Sequence, residues 1–317
     1  MIPTALYRYR NPLATSLTFA GQTLTQRDGL LLKFTHNGHI GWGDCAPLPG
    51  FSHDSLDANQ QALQRWCQQG GAIESLPAAA QFAISSGRYM ARQQSQRPSA
   101  GCAAPVPLLH GSTAHILAQA QNSQPRTVKL KLARNPLTEE IALVQQLQRR
   151  QPRLRLRIDA NQGWNVEQAC AFANAVDLSR IDYVEEPCLA LTDSLQVHQR
   201  SAMPLALDET TQQPNYRYQT HPGVVALVLK PTILGHINKL RAIISAAAAD
   251  GVASVLSSSF ESNLGLLALA SLAGEFTPQH DAGLDTLTPL YYDLCQPNPW
   301  IASRPLLRES QLEPLWP

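Results

Sequence analysis

Apolar and polar positions follow two rhythms along this chain. Near the start, residues 30–35 (LLLKFT) and 39–43 (HIGWG) are short β-rich runs separated by Asn37-Gly38. An Asn-Gly pair tolerates positive φ at both positions, so the runs predict a β-hairpin. Helical patterns follow near 55–69 and 77–93. Between hairpin and first helix, Cys45-Ala46-Pro47-Leu48-Pro49-Gly50-Phe51-Ser52 carries two prolines and a glycine, which predicts a stiff loop. Residues 91–106 are rich in Gln, Ser, Pro and Ala and predict a domain boundary near Pro105.

Beyond that boundary, short β-rich runs alternate with helical patterns. Strands are predicted at 126–132, 153–159, 181–185, 204–208, 224–230 and 252–257, and helices near 138–150, 166–177, 191–201, 235–249 and 261–273; a short element over 214–219 stays undecided. Repeated β-then-α units predict a parallel sheet, open or closed. Their number favours closure into a barrel of the (β/α)8 type.

Composition narrows the function. The 317 residues are 44% hydrophobic and 15% charged, enough for a sizeable core and contrary to disorder. A net charge of +1 gives no support for a nucleic-acid or membrane-surface role, which needs a basic face. The 6 cysteines (Cys45, Cys67, Cys102, Cys170, Cys188, Cys295) show no CxxC or CxxH spacing, so neither a zinc pattern nor a disulfide scaffold is expected. The N-terminal run MIPTALYRYRNPL lacks the marks of a signal peptide, and the longest apolar stretch, 264–273, is about half a membrane span. It reads as a buried helix, and reduced thiols in a cytoplasmic protein are expected.

The chemistry lies in where charged residues fall on the predicted strands. Asp159, Glu185, Asp208 and Lys230 each end a strand, one β-then-α unit apart, and Lys129 and Lys131 share a face of an earlier strand. In a parallel barrel the C-terminal strand ends meet at one face, so these groups should converge there. Three carboxylates without a partnering His or Cys suit a hard divalent cation such as Mg²⁺. Without a cation they would repel one another and resist ionisation. A lysine is a base only when neutral, which nearby positive charge favours. Cation and amine together solve one problem: removing a weakly acidic proton beside a carboxylate, where a second negative charge builds up.

At this point the sequence resembles the enolase superfamily, and within it the o-succinylbenzoate synthase family. The matching stretches are Arg27-Asp28-Gly29, Gly41-Trp42-Gly43-Asp44, Pro47-Leu48-Pro49-Gly50-Phe51-Ser52, Lys129-Leu130-Lys131, Arg157-Ile158-Asp159-Ala160-Asn161, Glu185-Glu186-Pro187-Cys188, Asp208-Glu209-Thr210, Lys230-Pro231-Thr232, Ser257-Ser258-Ser259-Phe260-Glu261-Ser262 and Gly283-Leu284-Asp285-Thr286-Leu287. The resemblance implies an α/β fold: a modified, (β/α)7β-like barrel over 105–289, and an N-terminal α+β capping domain over 1–104 joined by residues 290–317. It implies Mg²⁺, or Mn²⁺ in its place, on Asp159, Glu185 and Asp208. Lys131 would be the base and then the acid, Lys129 its tuning neighbour, and Lys230 the cation facing the enediolate. Such sites combine a Lys or His base with Mg²⁺ on an ene-diolate. Arg157, Asn161, Ser257, Ser258, Gly283 and Phe51 would contact or orient the substrate, a small carboxylate that loses water. Capping loops are expected near 20–28 and 47–52, and a monomer or weak homo-oligomer without nucleic-acid or membrane partners.

Some positions depart from the pattern. Leu132-Ala133 stands where a small or glycine ending follows Lys-x-Lys, and Thr210 where Ser is common. Arg153, Arg155 and Arg157 would share one strand face and need partners, with Asp182, Glu186 and Glu209 as candidates. None of the 9 histidines falls at a late strand end; His110 precedes Gly111 at an expected junction turn. An N-acylamino acid racemase or dipeptide epimerase of the same superfamily is the alternative. The epimerases carry a DxD at the last strand, which Asp281-Ala282-Gly283-Leu284-Asp285 lacks. A non-catalytic carboxylate-binding barrel would not need paired lysines, and a dinucleotide fold would need a GxGxxG after a strand.

Overall fold

The computed structural model describes residues 1–19, 21–96 and 105–317; Cys102 and part of the expected boundary segment lie outside the described residues. The chain forms two compact units, one of Met1–Ala104, Lys230–Ala242 and Leu256–Pro317, the other of Pro105–Leu229 and Ile243–Val255.

The first unit is built on an antiparallel sheet of β1 (Pro3–Phe19), β2 (Gln22–His36), β3 (His39–Cys45) and the C-terminal strand Glu313–Trp316, which pairs with the free side of β1. The hairpin turn is as expected: Asn37 and Gly38 have φ of 49° and 79°. β2 starts earlier than residue 30, and β1 was not predicted. The buried positions Leu6, Tyr9 and Asn11 break a two-residue period, because the pairing shifts between Leu6 and Tyr7. Helices α1 (Leu56–Gln69) and α2 (Ala78–Gln96) begin within a residue of expectation, α1 under a cap in which Ser55 accepts from the Ala58 amide. Leu6, Leu30, Leu32 and Phe34 pack with Leu63, Ala80, Ala83 and Ile84, each large side chain contributing roughly 2 kcal/mol. Gly41 and Gly43 let α2 lie flush on β3: a Cβ at Gly43 would stand 1.9 Å from the Ala83 carbonyl oxygen.

In the second unit, seven strands pair in chain order: β4 (Leu108–Leu109), β5 (Thr127–Lys131), β6 (Arg155–Asp159), β7 (Ile181–Glu185), β8 (Leu205–Leu207), β9 (Val224–Leu229) and β10 (Ala253–Leu256). The recorded pairs between β4 and β9 are all parallel. Helices α3 (Thr113–Ser123), α4 (Leu137–Arg150), α5 (Val166–Ala175) and α6 (Leu191–Ser201) fill the crossovers. α7 (Pro231–Leu234) and α8 (Ile237–Ala249) follow β9. The sheet thus opens one unit earlier than predicted, and Lys129 and Lys131 lie on its second strand. β4 is too short to show a period, and α3 buries only Ile116, Leu117 and Ala120. Residues 214–219 form neither helix nor strand. Arg153 is exposed in the turn before β6, so only Arg155 and Arg157 of the three arginines are strand residues.

The apolar stretch at 264–273 lies inside α9 (Asn263–Phe276), with Leu264, Leu266, Leu269 and Leu272 buried. Among the described residues no helix is long and apolar enough to cross a membrane. An irregular last stave closes the chain's βα series within the first unit: Gly283 makes a lone parallel bridge to Ser257, its N–H donating to Leu256 O at 2.8 Å and its carbonyl accepting from Ser258 N at 3.0 Å.

Candidate active site

Strand register assembles the charged groups of the second unit. Lys131 pairs with Asp159, and Asp159 with Glu185, across adjacent parallel strands, so their side chains start about 4.8 Å apart. Lys129 sits one layer below, opposite Arg157. The Lys129 ammonium reaches Glu185 Oε2 at 2.5 Å and Asp159 Oδ2 at 2.9 Å, while Lys131 Nζ stands 3.7 Å from the same Asp159 oxygen. Asp208 follows β8 and accepts from Gln212 Nε2 at 2.7 Å. Asp159, Glu185 and Asp208 are all buried. A cavity of about 460 Å³ beside Lys131 is walled by Leu109, Ile116, Leu132 and Leu143 and edged by His110 and Arg134.

The donors of this cluster are all carboxylate oxygens, the chemistry a hard divalent cation takes. Among the described residues no three acidic, His or Cys side chains are already drawn up as a ligand set; Asp159 and Glu185 close instead on the Lys129 ammonium, which takes the place of a cation between them, and Asp208 lies near enough to act on both Lys129 and Glu185. Burial opposes that charge, but Asp159, Glu185 and Asp208 outweigh it and hold the Lys129 pKa well above its ordinary value. Glu185 is pushed up to about 7 by burial, with Asp159 and Asp208 adding to the rise and Lys129 opposing it. A carboxyl whose folded pKa exceeds its unfolded value contributes stability below the unfolded value, and that contribution is lost as pH rises through the folded one. The metal-free protein is therefore expected to lose stability between about pH 4.5 and about pH 7, and saturating Mg²⁺ to flatten that slope. Urea midpoints with and without EDTA across this window test it; a flat metal-free profile would contradict the Glu185 assignment.

Backbone strain gathers where the strands end. Ala133, Asn161, Gln162 and Glu186 have φ of 60°, 44°, 60° and 37°, left-handed values that cost non-glycine residues about 1–2 kcal/mol each. Ala133 thus occupies a conformation that glycine adopts freely, which accounts for the glycine expected there. Asn161 donates its amide to Asp159 Oδ1 at 3.2 Å. The exit of β5 is held by buried Glu140, whose carboxylate accepts from the amides of Ala133 (3.0 Å), Arg134 (2.9 Å) and Asn135 (3.0 Å). Sequence reading missed this residue, since one glutamate on a helix rich in charge gives no signal. Glu140→Ala strips three amides of their acceptor and is expected to cost about 3 kcal/mol; equilibrium unfolding in urea measures it, and a loss below about 0.5 kcal/mol would contradict the clamp.

The arginines find the first of the candidate partners. Asp182 takes Arg155 Nε at 2.6 Å and Arg157 Nε at 3.5 Å, and the Arg157 guanidinium lies 5.4 Å from the centre of the Tyr183 ring. Glu209 accepts from Asn161 Nδ2 at 3.4 Å.

The remaining candidates lie in the first unit. Lys230, the residue after β9, is buried, with its ammonium 5.0 Å from the centre of the Phe51 ring. Phe51 stands on a tight turn in which Phe51 N and Ser52 N donate to Leu48 O. Buried Arg27 ties this loop down, donating to the carbonyls of Ala46, Pro47 (2.8 Å), Asp28 (3.1 Å), Phe260 (3.0 Å) and Ser259 (3.4 Å). Asp44 accepts from Tyr9 Oη and the Ser262 amide, and Glu261 from Thr232 Oγ1 and the Ser259 amide. Burial raises both carboxyl pKa values. Ser257 and Ser258 both donate to Gly283 O, at 3.2 and 3.3 Å, so three predicted residues meet.

The family model of the enolase C-terminal domain-like group matches residues 113–302, and that of the MenC N-terminal domain matches residues 1–91. An o-succinylbenzoate synthase of Klebsiella pneumoniae is 34% identical, over 98% of this chain and 98% of its own. The chain belongs to the o-succinylbenzoate synthase family. Another such synthase, from Yersinia pseudotuberculosis, is 34% identical over 100% of this chain and 99% of its own. The solved o-succinylbenzoate synthase of Thermosynechococcus elongatus, complexed with Mg in its active site, superposes with a TM-score of 0.71 at 25% identity, covering 94% of this chain and 95% of its own. A dipeptide epimerase from Enterococcus faecalis reaches a TM-score of 0.75 at 18% identity, over 94% of this chain and 93% of its own, and so shares the fold alone.

Proposed function

We propose that this chain is the o-succinylbenzoate synthase of menaquinone biosynthesis, a hydro-lyase that dehydrates 2-succinyl-6-hydroxy-2,4-cyclohexadiene-1-carboxylate to 2-succinylbenzoate. Its place in the synthase family supports the reaction. The observation that carries the site is the register of Lys131, Asp159 and Glu185 on adjacent strand ends, with Lys129 beneath them.

Asp159, Glu185 and Asp208 would hold Mg²⁺, or Mn²⁺ in its place. Bound there, the ion supplies the positive charge that offsets the second negative charge on the substrate carboxylate. Lys131 as a neutral amine takes the proton from the carbon bearing that carboxylate, and the C–H electron pair moves into the carboxylate. The pair then returns into the ring and expels the neighbouring hydroxyl. That hydroxyl leaves as water with the proton from Lys131, and the ring becomes aromatic. Lys129 keeps the carboxylates compensated and Lys131 oriented, and Lys230 is a second cation for the enediolate. Asn161 fixes Asp159; Arg157, Ser257, Ser258, Gly283 and Phe51 are assigned to substrate binding or support. A cytoplasmic monomer or weak homo-oligomer fits this role.

The test is direct. The protein added to the cyclohexadiene substrate should abolish the diene absorbance, EDTA should stop the reaction, and Mg²⁺ should restore it. Persistence of the diene with Mg²⁺ present would reject the reaction. Turnover that EDTA leaves untouched would reject the metal.

A further inference from the structure

Glu186, second residue of the Glu185-Glu186-Pro187 stretch, has no part in the chemistry above, yet it is 1% exposed and sits in the left-handed region with φ of 37°. Its interactions explain the strain. Oε1 accepts the backbone amides of Asp208 at 3.0 Å and Thr210 at 2.9 Å. Its carbonyl accepts the Gln162 amide at 2.8 Å, and its own amide donates to Ala206 O at 3.1 Å. It is bonded covalently to Glu185. One residue therefore binds the exits of the three strands that end in Asp159, Glu185 and Asp208: β7 by the chain itself, β6 through Gln162 and β8 through the Asp208 amide.

We infer that Glu186 is the positioning residue of the carboxylate triad, setting the backbone from which Asp208 reaches a divalent cation shared with Asp159 and Glu185. The inference rests on the proposed ligand role of those three residues. A carboxylate suits the task because one oxygen can accept two amides that converge from one loop, and charge strengthens both bonds. The left-handed turn at Glu186 is what directs its side chain back across β8 while Glu185 stays in register with Asp159. Supporting groups of this kind set metal affinity through geometry without touching the ion.

The test is Mg²⁺ titration by calorimetry on wild type, Glu186→Met and Glu186→Gln. Met matches the volume and removes the acceptor; Gln keeps an oxygen for both amides. Glu186→Met should bind Mg²⁺ ~10- to 100-fold more weakly, with Glu186→Gln within about threefold of wild type. An unchanged Mg²⁺ affinity in Glu186→Met, measured on protein with a native circular dichroism spectrum, overturns the inference while leaving the ligand assignment standing. A Gln variant as weak as the Met variant also overturns it, since negative charge would then be what matters. If Glu186→Met does not fold, amide exchange in the metal-free wild type decides: slow exchange at both Asp208 and Thr210 supports the clamp, and loop-like exchange at either rejects it. A wild type that binds no Mg²⁺ ends both this inference and the ligand reading beneath it.

Discussion

Lys131→Ala is expected to lower kcat by about 10⁴-fold, the upper range for loss of a positioned general base that later serves as the acid. In the proposed mechanism one amine handles the proton twice, so its removal would disable both abstraction and departure of water. The fold should survive: the Lys131 side chain is 36% exposed and its carboxylate contact is long, 3.7 Å to Asp159, so stability should change by less than about 0.5 kcal/mol. Lys131→Arg should be nearly as inactive, because a guanidinium keeps its proton and cannot act as a base. Turnover numbers with thermal melts of the three proteins check this. Lys131→Ala turning over above about a hundredth of the wild-type rate would remove the base assignment.

Lys129→Met carries the other large effect, and on stability. Its ammonium lies 2.5 and 2.9 Å from two buried carboxylates. Removing one partner of a buried pair leaves uncompensated charge and costs about 3–5 kcal/mol. The stability that Lys129 contributes is present below its ordinary pKa and lost only as pH rises beyond it, because its folded value is raised; the variant should therefore be weaker across the neutral range. Mg²⁺ should recover much of the loss, since a cation bound to the same carboxylates compensates them and ligand binding stabilises the folded state by mass action. Urea unfolding at pH 7.5 in EDTA and in Mg²⁺ measures both parts. A variant as stable as wild type in EDTA would show that the cluster does not depend on this amine.

Much of this architecture can be read from the chain because its signals are local. Asn37-Gly38 and the β-rich runs ending in Asp159, Glu185 and Lys230 each fix an element or a candidate site residue within a few residues. β1 and β4 escaped for opposite reasons. β1 is long, but a bulge breaks its period; β4 is two residues long and has no period to show. The supporting charges were the least legible. Glu186, Arg27 and Asp44 act on backbone groups far away in sequence and Glu140 on the turn just before its own helix, and no spacing rule marks a side chain whose partner is an amide or carbonyl. The resemblance flagged three of the four stretches but gave no physical task to any of them. Arg157 shows a related limit: Asp182 was one of three candidate partners, but which of the three takes it depends on the pairing of neighbouring strands, which the sequence does not show.

The sheet of the first unit joins the two extremes of the sequence, with Leu6 beside Trp316 and Arg8 beside Glu313. β1 waits through synthesis of the whole second unit before its outer neighbour is made. Until then that edge presents open amides and carbonyls, the kind of surface that recruits foreign strands. Such distant pairing also slows folding, since the chain must close its largest loop before the contact repays the entropy lost. Nascent chains of this protein are thus open to mispairing at that edge for as long as the second unit is being made.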